Sequence, residues 1–236
     1  MQFYGYYFYE TPHNTFKLGI VCEYINEQNN LEAIYRRRES KSKEFTESAQ
    51  YWSEDDMTKM CYSMVDALAF LQSIGICHRD IKPANLFLME TSEIKVIDFG
   101  ESKDFFLEED NEVNMATIRG TPQYLSPILW KAHMLTPGTR QVEHNIYKSD
   151  VFSAGLVLFQ LASIKDVTGF NQKTNYCDGE KLIKEGLANL SKKYSSKVID
   201  VIKKMLIFEE EKRPNFIELG KIIFGDGYVP RVGNCN

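Results

Sequence analysis

A cluster of charged and amide side chains in the first half of the chain has residue types suited to metal and phosphate chemistry. Residues 77–87 read C-H-R-D-I-K-P-A-N-L-F, and a D-F-G tripeptide follows, with Asp98 thirteen residues after Asn85. The amide oxygen of Asn85 and the carboxylate of Asp98 are hard oxygen ligands of the kind that Mg²⁺ prefers. The ammonium of Lys82 is a point charge that suits phosphate. The alternative is that Asp80 and Asn85 only cap turns in a loop.

The order of these motifs resembles the eukaryotic protein kinase superfamily, in which H-R-D-x-K-P-x-N precedes D-F-G. Either motif alone could arise by chance, but the two together, each after the expected helix or strand, are specific. The resemblance implies ATP and Mg²⁺ as cofactors and a catalytic set of Asp80, Lys82 and Asn85. Asp80 would accept the proton of the substrate hydroxyl and orient it, and Lys82 would reach the γ-phosphate. Asn85 and Asp98 would bind the metal, and Lys82 is typical of the Ser/Thr-directed branch.

Residues 20–25, which read I-V-C-E-Y-I, resemble the strand that leads into the hinge between the two kinase lobes. The resemblance makes Cys22 the gatekeeper and brings the backbone of Glu23 and Ile25 to the adenine. Phe87 would lie beneath the base as an apolar floor. These contacts depend on register more than on residue type, so an ordinary core strand stays open as the alternative.

Other positions fit the same resemblance. Asp150 begins a segment like the central helix of the family, where the aspartate would support the catalytic loop, and Arg213 matches an arginine near the last helix. Residues 98–127 would form the activation segment, in which Thr121 steadies the catalytic aspartate.

The activation segment also contains a candidate modification site. Arg79 is the arginine that can pair with an activation-segment phosphate in such kinases. Thr117 is the candidate acceptor, because a phosphate there would add about −1.5 to −2 charges facing that arginine. A kinase acting near Thr117 is therefore a candidate partner, and an unmodified loop threonine is an equal alternative.

The sequence departs from the family pattern after the activation segment. The family usually reads A-P-E there, whereas this chain reads S-P-I at residues 126–128, so the glutamate that pairs with the arginine at position 213 is absent. Because a buried guanidinium without a carboxylate is costly, we expect another acid to approach Arg213, with Glu143 as a guess, or Arg213 to be more hydrated. The stretch 128–149 is long enough to contain an inserted loop.

A second departure lies before the hinge. In the family that the sequence resembles, three strands and a helix precede the hinge. At average lengths these elements need about 26 residues without connections, which is more than the sequence has before residue 21. The only glycines there are Gly5 and Gly19, so G-x-G-x-x-G is absent. Lys17 begins its strand and is expected to be a solvated charge rather than the family's phosphate-binding lysine. The sequence thus predicts a truncated N-lobe.

Composition favours a soluble globular protein. The net charge is −5, hydrophobic residues make up 43% and charged residues 26%, which is close to the average of globular domains. A mildly acidic chain gains little from nucleic acid or an anionic membrane, so neither is expected as a partner. The five cysteines include no C-x-x-C pair, which disfavours a zinc ribbon or a disulfide framework. We expect a soluble, intracellular protein of the cytoplasm.

Hydrophobic patterning predicts the elements that position these residues. Strands are expected at 3–9 and 16–25, a short helix at 30–38, and a polar stretch at 39–50. Ser53 should cap an amphipathic helix that ends before Gly75, with short strands at 86–88 and 94–97. Residues 104–123 are typical of an exposed loop and residues 150–162 of a buried central helix. Pro214 should begin the last helix.

These observations predict an α+β, protein-kinase-like fold with a mostly helical C-lobe and a partial β N-lobe. The expected domains are residues 1–25 as a remnant of the N-lobe strands and hinge, 26–225 as the C-lobe and 226–236 as a tail. The predicted function is transfer of the ATP γ-phosphate to Ser/Thr hydroxyls of protein substrates. The alternative is a catalytically inactive kinase-like module that binds other proteins. A small-molecule phosphotransferase of related fold is disfavoured by Arg79 and Lys82.

Overall fold

The computed structural model describes residues 2–42, 51–105, 113–135, 138 and 140–230. In chain order the elements of these residues are β1 (Phe3–Glu10), β2 (Phe16–Cys22), α1 (Leu31–Ser42), α2 (Glu54–Ser73), β3 (Ile76–Cys77), β4 (Leu86–Leu88), β5 (Ile94–Val96), β6 (Lys103–Asp104), β7 (Val113–Thr117), α3 (Pro127–Leu135), β8 (Gln141–Asn145), α4 (Ile146–Ser163), α5 (Gly179–Leu190), α6 (Ser196–Met205) and α7 (Phe216–Phe224). The strands pair as four antiparallel ribbons, β1–β2, β3–β6, β4–β5 and β7–β8.

The first ribbon contains the two strands that the aromatic-rich patterning predicts. Tyr7 lies opposite Gly19, and the second strand ends at Cys22 rather than at residue 25. Most of its large side chains are exposed, including Phe8 at 66%. Lys17 is exposed opposite Tyr9, which agrees with the prediction of a solvated charge.

Helix α2 begins and ends as predicted. The hydroxyl of Ser53 accepts a hydrogen bond from the backbone N–H of Asp56 at 3.1 Å, which satisfies one of the free donors of the first turn. Gly75 follows the helix with a φ of 76°, a conformation that glycine adopts at little cost. One face of α2 enters the main core, with Met57, Met60, Cys61, Met64 and Leu68 all buried.

Helix α4 is the central helix, as the apolar run at 150–162 predicts. All of its residues except Lys148 are buried. Asn145 caps it by accepting from the backbone N–H of Lys148 at 2.9 Å. A Cβ at Gly155 would lie 2.9 Å from the Cβ of Met205, so the absence of a side chain there allows α6 to pack closely against α4.

One sequence prediction about the middle of the chain is wrong in part. The predicted loop at 104–123 contains strand β7, and its partner β8 lies with helix α3 in the long stretch 128–149. The two strands pair with each other, Met115 opposite Glu143 and Thr117 opposite Gln141. Each strand is short and its partner lies more than twenty residues away, so neither produces a strong local pattern. The acidic residues at 108–110 of this predicted loop lie outside the described residues.

The ends of two helices also differ from the predictions. Helix α1 continues to Ser42 rather than ending at residue 38, and residues 43–50 of the predicted polar stretch lie outside the described residues. The last helix begins at Phe216, because Asn215 caps it in a reciprocal arrangement with Glu218. Pro214 therefore precedes the cap instead of occupying the first helical position.

The described residues contain neither a candidate membrane span nor a metal-binding cluster. No helix there combines the length and the apolar character needed to cross a membrane. The same part of the chain contains no group of three or more His, Cys, Asp or Glu side chains arranged around a metal position. Its four cysteines, Cys22, Cys61, Cys77 and Cys177, are free thiols.

Candidate active site

The carboxylate of Asp80 is the centre of the candidate site. Asp80 lies in the loop between β3 and the 3₁₀ turn Pro83–Asn85. Its Oδ2 is 2.6 Å from the Nζ of Lys82 and accepts from the Nδ2 of Asn85 at 3.1 Å. Its Oδ1 accepts from the hydroxyl of Thr121 at 2.9 Å. The structure thus brings together the three predicted catalytic residues, and it adds the predicted contact from the activation segment.

These hydrogen bonds set the charge of the site. Burial alone would raise the pKa of Asp80, but the hydrogen bonds from Lys82, Thr121 and Asn85 outweigh burial and hold the pKa below its ordinary value. The carboxylate is therefore ionised at neutral pH and presents a fixed acceptor. Lys82 is part of the same network, since its Nζ also lies 3.2 Å from the Oγ1 of Thr121.

The carboxylate of Asp150 in α4 supports the loop of residues 78–85 that contains Asp80, the catalytic loop. Its carboxylate accepts from the backbone N–H of His78 at 2.8 Å and of Arg79 at 3.0 Å, and from the thiol of Cys77 at 3.1 Å. Arg79 has a φ of 68°, a sparsely populated conformation for a residue with a side chain. Burial raises the pKa of Asp150, although the donors stabilise the charged form. The buried carboxylate replaces the backbone partners that a regular element would provide.

The D-F-G segment is tied to the same loop. The Nε2 of His78 donates to the carbonyl of Ile97 at 2.9 Å, and the N–H of Ile97 donates to the carbonyl of Asn85 at 3.0 Å. The next residue, Asp98, has a φ of 61°. Its side chain accepts a long bond, 3.3 Å, from the N–H of Gly100. Ribbon β4–β5 and the catalytic loop therefore position Asp98 from both sides.

The donor set of Asn85 and Asp98 fits a magnesium ion. Asn85 is 4% exposed, and its Nδ2 donates twice to Asp80, to the backbone carbonyl at 2.9 Å and to Oδ2. This orientation leaves the amide oxygen as the group that a cation could use. At many Mg²⁺ sites the protein supplies only a few ligands, such as one carboxylate and one amide oxygen. Waters and phosphate oxygens supply the remaining ligands.

The predicted hinge residues lie at the end of β2. Cys22 is the last residue of the strand and is half-buried. The N–H of Glu23 donates to the carbonyl of Gln2, and its carboxylate is 2.7 Å from the Nζ of Lys95. The hydrogen bond from Lys95 lowers the pKa of Glu23. Ile25 follows outside any helix or strand.

Phe87 lies in β4, opposite Lys95 of β5, and is 8% exposed. It also forms an isolated bridge with Asn30, which connects the start of α1 to the strand that follows the catalytic loop. Phe87 and Lys95 are therefore cross-strand partners in ribbon β4–β5, and the ion pair with Lys95 joins Glu23 to this ribbon.

The activation segment contacts the catalytic loop directly. Gly120 has a φ of 108°, and a Cβ there would lie 2.7 Å from the carbonyl of Arg79, so the approach requires glycine. The guanidinium of Arg79 donates to the carbonyl of Thr117 at 3.3 Å. Arg79 therefore contacts the backbone of Thr117, the predicted phosphate acceptor.

Arg213 has different partners from those that the sequence predicted. The side chain is 1% exposed, so it is not more hydrated. It donates to three carbonyls, those of Ile207 at 2.7 Å, Lys148 at 2.8 Å and Phe208 at 2.9 Å. Burial lowers the pKa of Arg213 to about 10, although the negative charge of Glu210 acts in the opposite direction and raises it.

The guess that Glu143 approaches this arginine is wrong. Glu143 is exposed on β8, and no carboxylate of the described residues forms a salt bridge with Arg213. Glu210 is the main opposite charge acting on the guanidinium, and it instead accepts from the N–H of Asn145 at 2.8 Å. Backbone carbonyls thus replace the glutamate that the family pattern places at position 128.

Two asparagines that sequence reasoning missed also support the site. The Nδ2 of Asn30 donates to the carbonyl of Ala84 in the catalytic loop at 2.7 Å. The Nδ2 of Asn171 donates to the carbonyls of Pro122 and Leu125 at 2.9 and 2.8 Å, and thereby holds the end of the activation segment. Asn30 directly precedes helix α1, and asparagine at that position is a signal that the local sequence contains. The sequence around Asn171 contains no feature that indicates its hydrogen-bond partners.

Comparison with known proteins identifies the arrangement. Residues 5–223 match the family described as Protein kinase domain. Serine/threonine-protein kinase Nek9 of Mus musculus is 31% identical over 201 residues, which are 84% of this chain and 18% of that protein. Nek4 of the same organism is 31% identical over 170 residues, 72% of the chain and 19% of that protein.

A human relative has a different name but a similar level of identity. The 3-phosphoinositide-dependent protein kinase 1 of Homo sapiens is 30% identical over 168 residues, 71% of the chain and 26% of that protein. The chain thus spans about a fifth to a quarter of the length of these relatives. Together the matched residues, the α+β architecture and the Asp80 network show that the chain belongs to the protein kinase domain family.

Proposed function

We propose that this chain is a protein serine/threonine kinase that transfers the γ-phosphate of ATP to Ser/Thr hydroxyls of protein substrates. The observation that carries the proposal is the Asp80 carboxylate, which Lys82, Asn85 and Thr121 hold in one orientation. The relatives named Nek9 and Nek4 are serine/threonine-protein kinases by name, and Lys82 is the residue typical of that branch.

In the proposed mechanism, Asp80 positions the nucleophile. Phosphoryl transfer passes through a loose transition state, so catalysis depends mainly on alignment and on stabilising charge. An ionised Asp80 accepts a hydrogen bond from the substrate hydroxyl and takes its proton as the hydroxyl oxygen bonds to the γ-phosphorus. The bond between that phosphorus and the bridging oxygen breaks in the same transfer, and ADP leaves with the bond's electron pair. Its lowered pKa makes it a weak base early in the reaction, which fits an orienting role. Lys82 balances the charge of the transferring phosphate.

Asn85 and Asp98 are the proposed ligands of Mg²⁺, which would neutralise charge on the phosphates when bound. Cys22, Glu23, Ile25 and Phe87 are the proposed adenine contacts. Because the N–H of Glu23 already donates to Gln2, the contact from Glu23 would be made by its carbonyl. We assign residues 1–25 to N-lobe strands and hinge, 26–225 to the C-lobe and 226–236 to a tail.

Phosphorylation of Thr117 by another kinase is proposed as a modification of the activation segment. The guanidinium of Arg79 already contacts the Thr117 carbonyl, so a phosphate on the same residue would gain a charge-assisted partner nearby. Mass spectrometry of active protein tests this proposal. Thr117 found unmodified in every active preparation would remove its basis.

Nucleotide binding tests the proposed ATP site. Calorimetry with the folded chain should show ATP binding that requires Mg²⁺, and Asp98→Asn should weaken binding about tenfold because a charged ligand of the metal is lost. The control is Asp226→Asn, at an exposed position near the end of the described chain. A folded chain that binds no ATP would support the alternative of a non-catalytic interaction module.

A further inference from the structure

Ribbon β1–β2 has one face that is both apolar and exposed. Side chains that lie directly opposite each other on two paired strands share a face of the ribbon. Three such pairs form the face that we call the aromatic face: Tyr6–Ile20, Phe8–Leu18 and Glu10–Phe16. Its five apolar side chains are exposed by between 55% and 74%. Glu10 is the one charged residue among the six.

The opposite face of the ribbon partly covers itself. A Cβ at Gly19 would lie 2.3 Å from the Cζ of Tyr7, so the ring of Tyr7 lies directly over the glycine. Tyr7 also stacks with Tyr9, with ring centroids 5.9 Å apart. Both tyrosines are less exposed than Tyr6 and Phe8 of the aromatic face. The apolar surface that is left without cover is therefore concentrated on the aromatic face.

The exposed area of the aromatic face is close to what a specific protein interface needs. Its three rings, those of Tyr6, Phe8 and Phe16, are 65%, 66% and 74% exposed. Since a buried aromatic side chain removes about 150–250 Å² from water, the three rings leave about 300–500 Å² open in each copy. Two copies packed face to face, with Leu18 and Ile20 added, would thus reach the lower end of stable interfaces, about 1,200 Å² in total.

The position of the single charge allows this face to pack against itself. A two-fold interface brings the same patch of both copies together. The pair Phe8–Leu18 is the centre of the aromatic face, and Glu10 lies at one end, beyond which the ribbon turns. A two-fold axis that runs across the strands at Phe8 places the Glu10 end of each copy over the Tyr6 end of the other. The two carboxylates then stay apart, and apolar side chains meet in the middle.

We propose that the aromatic face is a dimer interface, in which a second copy of this chain packs its ribbon antiparallel onto the first. A two-stranded ribbon alone is marginally stable in water, and packing one face against another element stabilises it. The second copy supplies that element. Phe8 lies on the two-fold axis and contacts Phe8 of the second copy. Because the area is at the lower end of specific interfaces, we expect a dissociation constant in the micromolar range.

Sedimentation velocity of the purified chain tests the dimer directly and does not depend on phosphate transfer. Over a concentration range of about 1–100 µM, the chain should pass from monomer to dimer with no larger species, because a two-fold interface is closed. A monomer throughout this range would overturn the proposal. An open series of oligomers would do the same, because it would indicate pairing of the strand edges rather than of one face.

Two neighbouring positions on opposite faces identify the interface. Phe8→Glu removes the central ring and places like charges at the two-fold axis, so it should weaken the dimer at least about tenfold. Tyr9→Glu is the matched control, because it introduces the same charge one residue later, on the opposite face and across from Lys17. Its dissociation constant should stay within about twofold of wild type. Equal weakening by both variants would contradict the assignment to the aromatic face.

Mixing two charged variants separates loss of the interface from loss of the fold. Phe8→Glu and Phe8→Lys should each be weakened alone, whereas an equimolar mixture should form a heterodimer about tenfold more tightly than either variant dimerises, and added salt should reduce this gain. The comparison holds even if both variants lower the melting temperature, since both carry a charge at the same position. No gain on mixing would show that the two Phe8 positions do not meet and would overturn the proposed geometry.

Discussion

At the residue scale, the catalytic loop shows how one carboxylate becomes a fixed acceptor. Three donors from two segments converge on Asp80, and they outweigh the effect of burial on its pKa. A second carboxylate, Asp150, holds the backbone of the same loop in a conformation that Arg79 would rarely adopt alone. Hydrogen bonds at this site thus fix the orientation of one carboxylate, and a second carboxylate holds a strained backbone conformation.

Arg213 gives a residue-scale prediction about stability. Its planar guanidinium satisfies three buried carbonyls in three directions, and the single ammonium of lysine cannot reach all of them from one point. Arg213→Lys should therefore lower the free energy of unfolding by about 2–4 kcal/mol, because buried acceptors lose their partners. Urea denaturation measures the loss.

Glu143→Gln is the control for this experiment, because Glu143 is exposed on β8 and does not bond to Arg213. It should change the stability by less than about 0.5 kcal/mol. A larger loss in Glu143→Gln than in Arg213→Lys would restore the acid–arginine pair that the sequence suggested and contradict the observed carbonyl contacts.

At the element scale, the packing of α4 against α6 depends on Gly155. Adding a methyl group there places it 2.9 Å from the Cβ of Met205 and 3.0 Å from the Cδ2 of Leu206. Gly155→Ala should destabilise the protein by about 1–3 kcal/mol through overpacking, although alanine has the higher helix propensity by up to about 1 kcal/mol. Urea denaturation again provides the measurement.

The control for the α4–α6 contact is Gly227→Ala, where a Cβ would meet open space. Its stability should stay within about 0.5 kcal/mol of wild type. An increase in stability for Gly155→Ala would mean that propensity outweighs packing and that α6 can shift away from α4.

The ribbon β7–β8 gives a prediction about pH. His144 of β8 is buried, and burial lowers its pKa below the ordinary 6.5, with Arg79 contributing in the same direction. The unfolded chain binds a proton near pH 6.5, whereas the folded chain binds it only at lower pH. The stability that the neutral imidazole contributes is therefore fully present above about pH 6.5, and it is lost as the pH falls from there through the lower pKa of the folded state.

Thermal unfolding between about pH 7 and pH 5.5, the interval around the ordinary pKa of histidine, measures this effect. The wild type should lose more stability than His144→Gln over this range, because glutamine does not take up a proton when the chain unfolds. His133→Gln, at an exposed position of α3, should follow the wild type. Parallel pH profiles for wild type and His144→Gln would show that His144 is not held neutral.

The same ribbon shows why part of the fold escapes sequence reasoning. Helices α2 and α4 are predictable because periodic apolar residues and a continuous apolar run are local signals. Strands β7 and β8 are stabilised by each other across the sequence of α3, and neither has a strong pattern of its own. The partners of Arg213 and Asn171 are backbone carbonyls, which any residue supplies, so no residue type could indicate them.

At the scale of the whole molecule, two regions differ in how they bury their side chains. Residues of α2, α4, α5, α6 and α7 share one large core that contains nine of the 18 residues of α4. The ribbon β1–β2 instead exposes most of its aromatic residues, such as Phe3 at 60% and Phe16 at 74%. The catalytic loop lies against the well-packed part, and only the proposed adenine contacts involve the end of β2.

The motif residues of the candidate site were predictable because phosphoryl transfer limits the side chains that can serve it. The resemblance of the H-R-D-x-K-P-x-N motif to protein kinases implies Asp80, Lys82 and Asn85, and the structure brings them into one hydrogen-bonded network.

The most direct test of the central claim is phosphate transfer by wild-type protein and by Asp80→Asn. With ATP, Mg²⁺ and a serine peptide, the wild type should phosphorylate the peptide. Asp80→Asn should reduce the rate by about 10²–10⁴, the range typical of a general base, with an unchanged unfolding curve. Transfer by Asp80→Asn at the wild-type rate, or no transfer by the folded wild type, would contradict the assignment of this chain as a kinase that uses Asp80.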